Sequence, residues 1–244
     1  TAFEGAQSGY GKLHGKDLPA LYSGLRSRGV AILSSMIIGF PYQDRAQILK
    51  EFEKFKELGP SLWQILVYFA FPGTPLYEKV CEEKLYLSGD EGLPDYRTFD
   101  GFSMHFKHPH FSAEDLEELQ RTLYRQCFED LGPSMVRALR AWFEGYRNMK
   151  DSDRPLLRLR AKRMQRYVRS ALPGIYPAVR FGPNRERRAE ARMFLEEIQE
   201  EWGSLSVPDR VKCWGTVPLS IWTWMTEKLD LFQQPRLLRL EHRL

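Results

Sequence analysis

Residues 30–77 read VAILSSMIIGFPYQDRAQILKEFEKFKELGPSLWQILVYFAFPGTPLY. Two short apolar runs rich in β-branched residues, Val30–Ile38 and Leu62–Phe69, flank a charged segment, Asp44–Leu58. Within that segment Ile48, Leu49, Phe52, Phe55 and Leu58 recur at three- and four-residue intervals. A helical period in the middle, and none on either side, predicts strand, helix, strand. Both runs are nearly continuous in apolar character, the pattern of parallel strands covered on both faces. The helix then supplies the right-handed crossover between them. Asp44 suits the N-cap of this helix, and Pro75 the first turn of the next.

Function is expected at the punctuation of this unit. Gly39-Phe40-Pro41 ends the first strand, and Phe71-Pro72-Gly73-Thr74-Pro75 follows the second. Loops at the carboxyl ends of parallel strands carry sites because backbone N–H groups and helix N-termini converge there. Glycine permits a ligand to approach the backbone closely.

Around this core, 244 residues with 43% hydrophobic content are enough to bury one or two domains. No apolar run approaches the roughly 18 residues of a membrane-spanning helix. Three isolated cysteines, Cys81, Cys127 and Cys213, make no disulfide framework and point to a reducing cytoplasm. The net charge of +4 is unevenly spread. Residues 1–150 carry 18 Lys and Arg against 20 Asp and Glu, while residues 151–244 carry 18 against 12.

The order of these motifs resembles a known family. A strand ending IIGFP, a helix of about four turns, a strand ending in an aromatic, and then PGTPLYE is similar to the second half of the radical S-adenosylmethionine (SAM) core. The likeness is greatest to the class with an amino-terminal cobalamin-binding domain. Upstream, FEGAQSGYGKLHGKDL and ALYSGLRSRGVAILSSMIIGFP resemble the family's fourth strand, fourth helix and fifth strand. The likeness covers residues 1–150 and rests on the ordered set of motifs, since PGTP alone is weak.

The resemblance implies an α/β fold: the C-terminal half of a (β/α)6-type partial TIM barrel, followed by an all-α extension. It also implies a [4Fe-4S] cluster whose CxxxCxxC ligands this chain lacks. The cobalamin domain is likewise absent from this sequence. The chain is therefore read as the carboxyl-terminal part of a longer enzyme, inactive alone, whose partners are the missing amino-terminal parts of the parent. Residues 1–84 are assigned to the barrel, 85–150 to the post-barrel loop and helices, and 151–244 to a basic helical extension.

By the same resemblance, Glu4 at the end of a strand over Thr1–Gln7 matches a carboxylate that helps hold SAM; the plain alternative is a carboxylate accepting turn hydrogen bonds. Ser35, Ile37 and Gly39 match the GxIxGxxE strand that SAM approaches, with Ser35 in the first glycine slot and Tyr42 in the acidic one. That last role cannot be carried over to Tyr42. Tyr68 and Phe71 match positions near adenine, although aromatics at strand ends commonly pack in cores. The run His105-Phe106-Lys107-His108-Pro109-His110 invites a metal reading. Lys107 and the lack of a completing Cys or carboxylate oppose it, which leaves His105 and His108 as substrate-side candidates on a loop over the barrel mouth.

Further along, Ser112–Leu131 and Met135–Asn148 read as amphipathic helices separated by Gly132-Pro133-Ser134. The basic run Arg154–Arg192 reads as helix interrupted at Leu172-Pro173-Gly174. It admits a solvated face, an anionic lipid surface or a nucleic-acid surface, and no nucleic-acid-binding module is recognisable. The Trp-rich piece Val217–Phe232 suits a membrane interface or a docked helix. The expected activity is reductive cleavage of SAM to a 5′-deoxyadenosyl radical, for cobalamin-dependent methylation or related C–H functionalisation of a small molecule or lipid. The alternative is a non-catalytic α/β protein that binds a partner or a membrane surface through its basic helical tail.

Overall fold

The computed structural model describes residues 15–87, 96 and 99–229, and the chain divides into two compact units, residues 1–168 and 169–244. The described residues form eight helices and two strands: α1 (Leu18–Arg26), β1 (Leu33–Ile38), α2 (Arg45–Glu57), β2 (Leu62–Val67), α3 (Pro75–Glu82), α4 (Ala113–Leu131), α5 (Ser134–Met149), α6 (Pro155–Phe181), α7 (Arg185–Trp202) and α8 (Val207–Lys228). The predicted strand-helix-strand unit is present as a parallel pair in register from Leu33 opposite Leu62 to Ile38 opposite Val67. The class is α/β, mostly helical, and the described sheet has two strands. Glu4 and the strand expected over Thr1–Gln7 lie outside the described residues.

Helix starts follow their capping chemistry. Asp17, Asp44, Thr74, Ser112 and Asn184 each accept a hydrogen bond from a first-turn N–H of the following helix. Such a cap contributes about 1 kcal/mol, whereas each buried Phe or Ile contributes about 1.5–3 kcal/mol. The placement of α2 is therefore decided by its apolar stripe. Ile48, Phe52 and Phe55 join Met36, Ile38, Ile65, Val67 and the α4 residues Leu116, Leu119 and Leu123 in one core.

Coverage of the sheet differs from the sequence expectation. Ser34, Met36 and Ile38 of β1 are buried, while Leu33 is exposed and Ser35 and Ile37 are half-buried. Among the described residues the α2 and α4 core meets one face only, so alternate residues of β1 separate by burial although its sequence, LSSMII, does not alternate in polarity. The outer edge of β2 is closed by side chains of α4. Ile65 N–H donates to the Tyr124 hydroxyl (2.9 Å), and Gln120 Nε2 donates to the carbonyls of Ile65 (2.6 Å) and Gly101 (3.0 Å). Gly101 O also accepts from Val67 N (2.8 Å).

Helix α5 approaches the turn after α1 at Gly145. A Cβ there would stand 2.3 Å from the Gly29 Cα, so only glycine permits this backbone contact. In the second unit, α6 passes through Pro173 and Pro177 without the expected interruption. Pro177 has no N–H for the Pro173 carbonyl four residues earlier. The Thr216 hydroxyl of α8 donates to Cys213 O (2.6 Å) and lies 3.3 Å from that carbonyl.

Candidate functional site

The carboxyl ends of β1 and β2 meet in an aromatic edge built on one turn. Gly39 takes φ +83°, a conformation that favours glycine, and a Cβ on it would lie 2.7 Å from Leu116 Cδ2, so the leucine side chain would have to shift for any larger residue. Phe40 turns inward, is buried, and sets its ring 4.3 Å from that of Tyr68. The Phe40 carbonyl accepts from Gln43 N (2.8 Å) and faces His108 Nε2 at 2.9 Å. Gln43, fully buried, accepts from Phe40 N through Oε1 (3.0 Å) and donates through Nε2 to Glu51 Oε2 (3.1 Å). A buried carboxylate and a buried amide thus fix the turn that presents the edge.

The histidines have different environments. His108 Nδ1 accepts from His110 N (3.1 Å), so its proton sits on Nε2 and is donated to the Phe40 carbonyl. Both ring nitrogens face backbone partners, and the residue holds the His110 turn against the β1 turn. Burial lowers its pKa, and the charge on His110 acts in the same direction against the Phe40 hydrogen bond. His105 is 2% exposed, with Nδ1 3.4 Å from the Ser103 carbonyl and Nε2 buried without a hydrogen-bond partner. Its ring lies 4.4 Å from Phe99 and 5.5 Å from Phe69. Burial again lowers the pKa, opposed by the Ser103 carbonyl and the Asp100 charge. His105 is therefore a neutral ring inside an aromatic wall.

Of the residues singled out from sequence, Gly39 and Tyr68 come together at the edge, and Phe71, 54% exposed, joins it by a ring contact of 4.2 Å to Phe69. Ser35 and Ile37 lie on the half-buried face of β1, opposite Gln64 and Leu66 of β2 in the register. His105 belongs to the same aromatic set through Phe69. Sequence reasoning missed Gln43 and Glu51. The signal was available: Glu51 stands one residue before Phe52 on the apolar stripe of α2, where a carboxylate is out of place unless buried and bonded.

The donor set does not fit an iron-sulfur cluster. Cys127 is fully buried in the α4 core, and burial pushes its thiol up to about 12; Cys213 is buried and pushed up as well. Among the described residues no group of three His, Cys, Asp or Glu side chains could hold a metal ion. Among the same residues no helix is long and apolar enough to cross a membrane. Comparison of the chain with protein-family models, curated proteins and solved structures found no match.

Proposed function

We propose that this chain is the carboxyl-terminal portion of a radical SAM enzyme, with β1 and β2 the last two strands of its partial barrel. One observation carries the reading: the strands are parallel, their α2 and α4 core lies on one face, and the other face, with Ser35 and Ile37, is half-buried and ends in an aromatic edge. Such a face suits the inside of a barrel, and the side-chain closure of β2 suits a final strand. Ser35 would offer a hydroxyl to SAM, Ile37 an apolar contact, and Tyr68 with the exposed Phe71 an aromatic surface for adenine. Gly39 owes its identity to Leu116 and its backbone, so it shapes the edge from behind. In a longer enzyme, SAM and a reduced cluster would supply the radical chemistry, and the residues of this chain would contribute only binding and orientation of SAM. No residue here is assigned to cobalamin.

The test uses the longer parent, reconstituted anaerobically with iron and sulfide. Formation of 5′-deoxyadenosine should fall at least tenfold in Ser35→Trp and Ile37→Glu while the cluster absorbance is unchanged. Full activity in both variants would remove SAM from this face.

A second reading, attachment to a membrane surface bearing anionic lipid, is favoured by α8. Val207, Val211, Trp214, Ile221, Trp222 and Met225 recur at helical spacing and are all exposed. Exposed Arg210 and Lys212 lie on the same helix. Co-sedimentation with phosphatidylserine vesicles should be lost in Trp214→Ser/Trp222→Ser; absence of sedimentation at both low and high salt removes this reading.

A further inference from the structure

The amino-terminal side of the strand pair carries a feature that neither reading uses. Between α1 and α5, beside the turn that leads into β2, lies a cleft of about 600 Å³ lined by Arg26, Arg137, Arg140, Arg147 and one carboxylate, Glu144, with serine and asparagine completing the wall. Four guanidinium groups against one carboxylate give the lining a net charge of +3. Arg137, Arg140, Glu144 and Arg147 follow one another at three- and four-residue steps, so α5 presents them on one face. Arg26 approaches from α1.

Two of the arginines are held in place by the turn. Arg26 Nη1 donates to the carbonyls of Leu58 (3.2 Å) and Gly59 (2.7 Å); Arg137 donates through Nε to Pro60 O (2.7 Å) and through Nη1 to Leu131 O (3.0 Å). These bonds point both forks at one place. The position a Cβ on Gly59 would occupy lies 2.9 Å from Arg26 Nη1 and 3.2 Å from Arg137 Nη2. Arg140 and Arg147 stand on the same wall, the Arg147 guanidinium 5.7 Å from the Phe143 ring centre.

We propose that this cleft binds a phosphate-type oxyanion. Planar guanidinium forks match tetrahedral oxyanions with two hydrogen bonds each, and anchored forks lose little freedom on binding. The volume admits a phosphate with a small organic group attached. Apart from Ala141 and Gly59 the lining residues are polar or charged, so the ligand is a small, highly charged molecule. The cleft lies at the amino end of β2, one strand length from the aromatic edge, roughly 20 Å for six residues. It would therefore fill independently of that edge.

The experiment uses the 244-residue chain at constant ionic strength. Inorganic phosphate and pyrophosphate are titrated calorimetrically against a chloride control, and vesicles of phosphatidylcholine with and without phosphatidate form a separate arm. Arg140→Gln/Arg147→Gln is the test variant, because it leaves the turn anchors intact. Arg160→Gln/Arg163→Gln, exposed positions on α6, is the control. Saturable binding that weakens at least tenfold in the test variant and is unchanged in the control supports the site. A response to the free anions identifies a soluble phosphate, and a response to phosphatidate vesicles alone identifies a lipid headgroup. No saturable binding in any arm, or equal loss in both variants, overturns it.

Discussion

Replacing Gly145 by alanine is a one-methyl change whose outcome depends on the contact between α5 and the turn after α1. The added Cβ would stand 2.3 Å from Gly29 Cα, 2.5 Å from Gly29 N and 3.1 Å from Arg28 C. Carbon atoms rest at about 3.5–4.0 Å, so a backbone segment must move by about 1 Å, and no rotamer can relieve the clash. Overpacking of this kind costs about 1–3 kcal/mol, and with backbone on both sides the upper figure applies. Alanine returns about 1 kcal/mol through helix propensity, which leaves a net loss of about 2 kcal/mol, or roughly 4–8 °C in Tm for a unit of this size. Gly24 of α1 is the internal control. Its Cβ would meet only the flexible Arg28 Nη1 at 3.4 Å, so Gly24→Ala should stabilise by up to about 1 kcal/mol. Urea and thermal denaturation followed by far-ultraviolet circular dichroism measure both. A Gly145→Ala protein as stable as the parent would refute the packing account.

The buried histidines bind protons more weakly when folded, so the unfolded chain takes up more protons below its ordinary histidine pKa of about 6.5. Stability is then complete above that pH and falls as acid is added. His105→Phe should flatten the decline and leave neutral stability within about 1 kcal/mol of the parent, since Nε2 has no partner to lose; an unchanged pH slope would count against it. Gln120→Leu leaves the Ile65 and Gly101 carbonyls without their side-chain donor and should cost about 2–4 kcal/mol, with faster exchange of the Val67 amide as the local readout. Native protein should show one readily modified thiol, half-buried Cys81, while Cys127 and Cys213 react only on unfolding; three equal rates in a thiol-reagent time course would contradict the burial.

The strand-helix-strand unit was legible because its two periodicities are unmixed and Asp44 marks the helix start. Ser112 announced α4 in the same way. Pro173 reads as a break, yet the helix continues through it and Pro177, because a proline removes one backbone bond without dictating whether the flanking turns separate. The difference between the two faces of β1 was likewise concealed, since Ser34 and Ser35, and Ile37 and Ile38, are alike as residues and differ only in what packs on them. At the candidate site the glycine and aromatic positions stood out, but Gln43 and the cleft arginines did not. Their partners come from other elements, and no spacing rule links Arg26 to Arg137.

The closure of β2 by α4 also bears on how the chain survives stress. LWQILV carries neither the lysine nor the proline that usually keeps a bare strand from templating on a neighbour. Tyr124 and Gln120 do that work from outside the strand. The guard at Ile65 therefore lasts only while α4 is docked. Heating or substitution that frees α4 before the strand pair dissolves would uncover an adhesive edge, and reversible loosening would turn into irreversible association between chains.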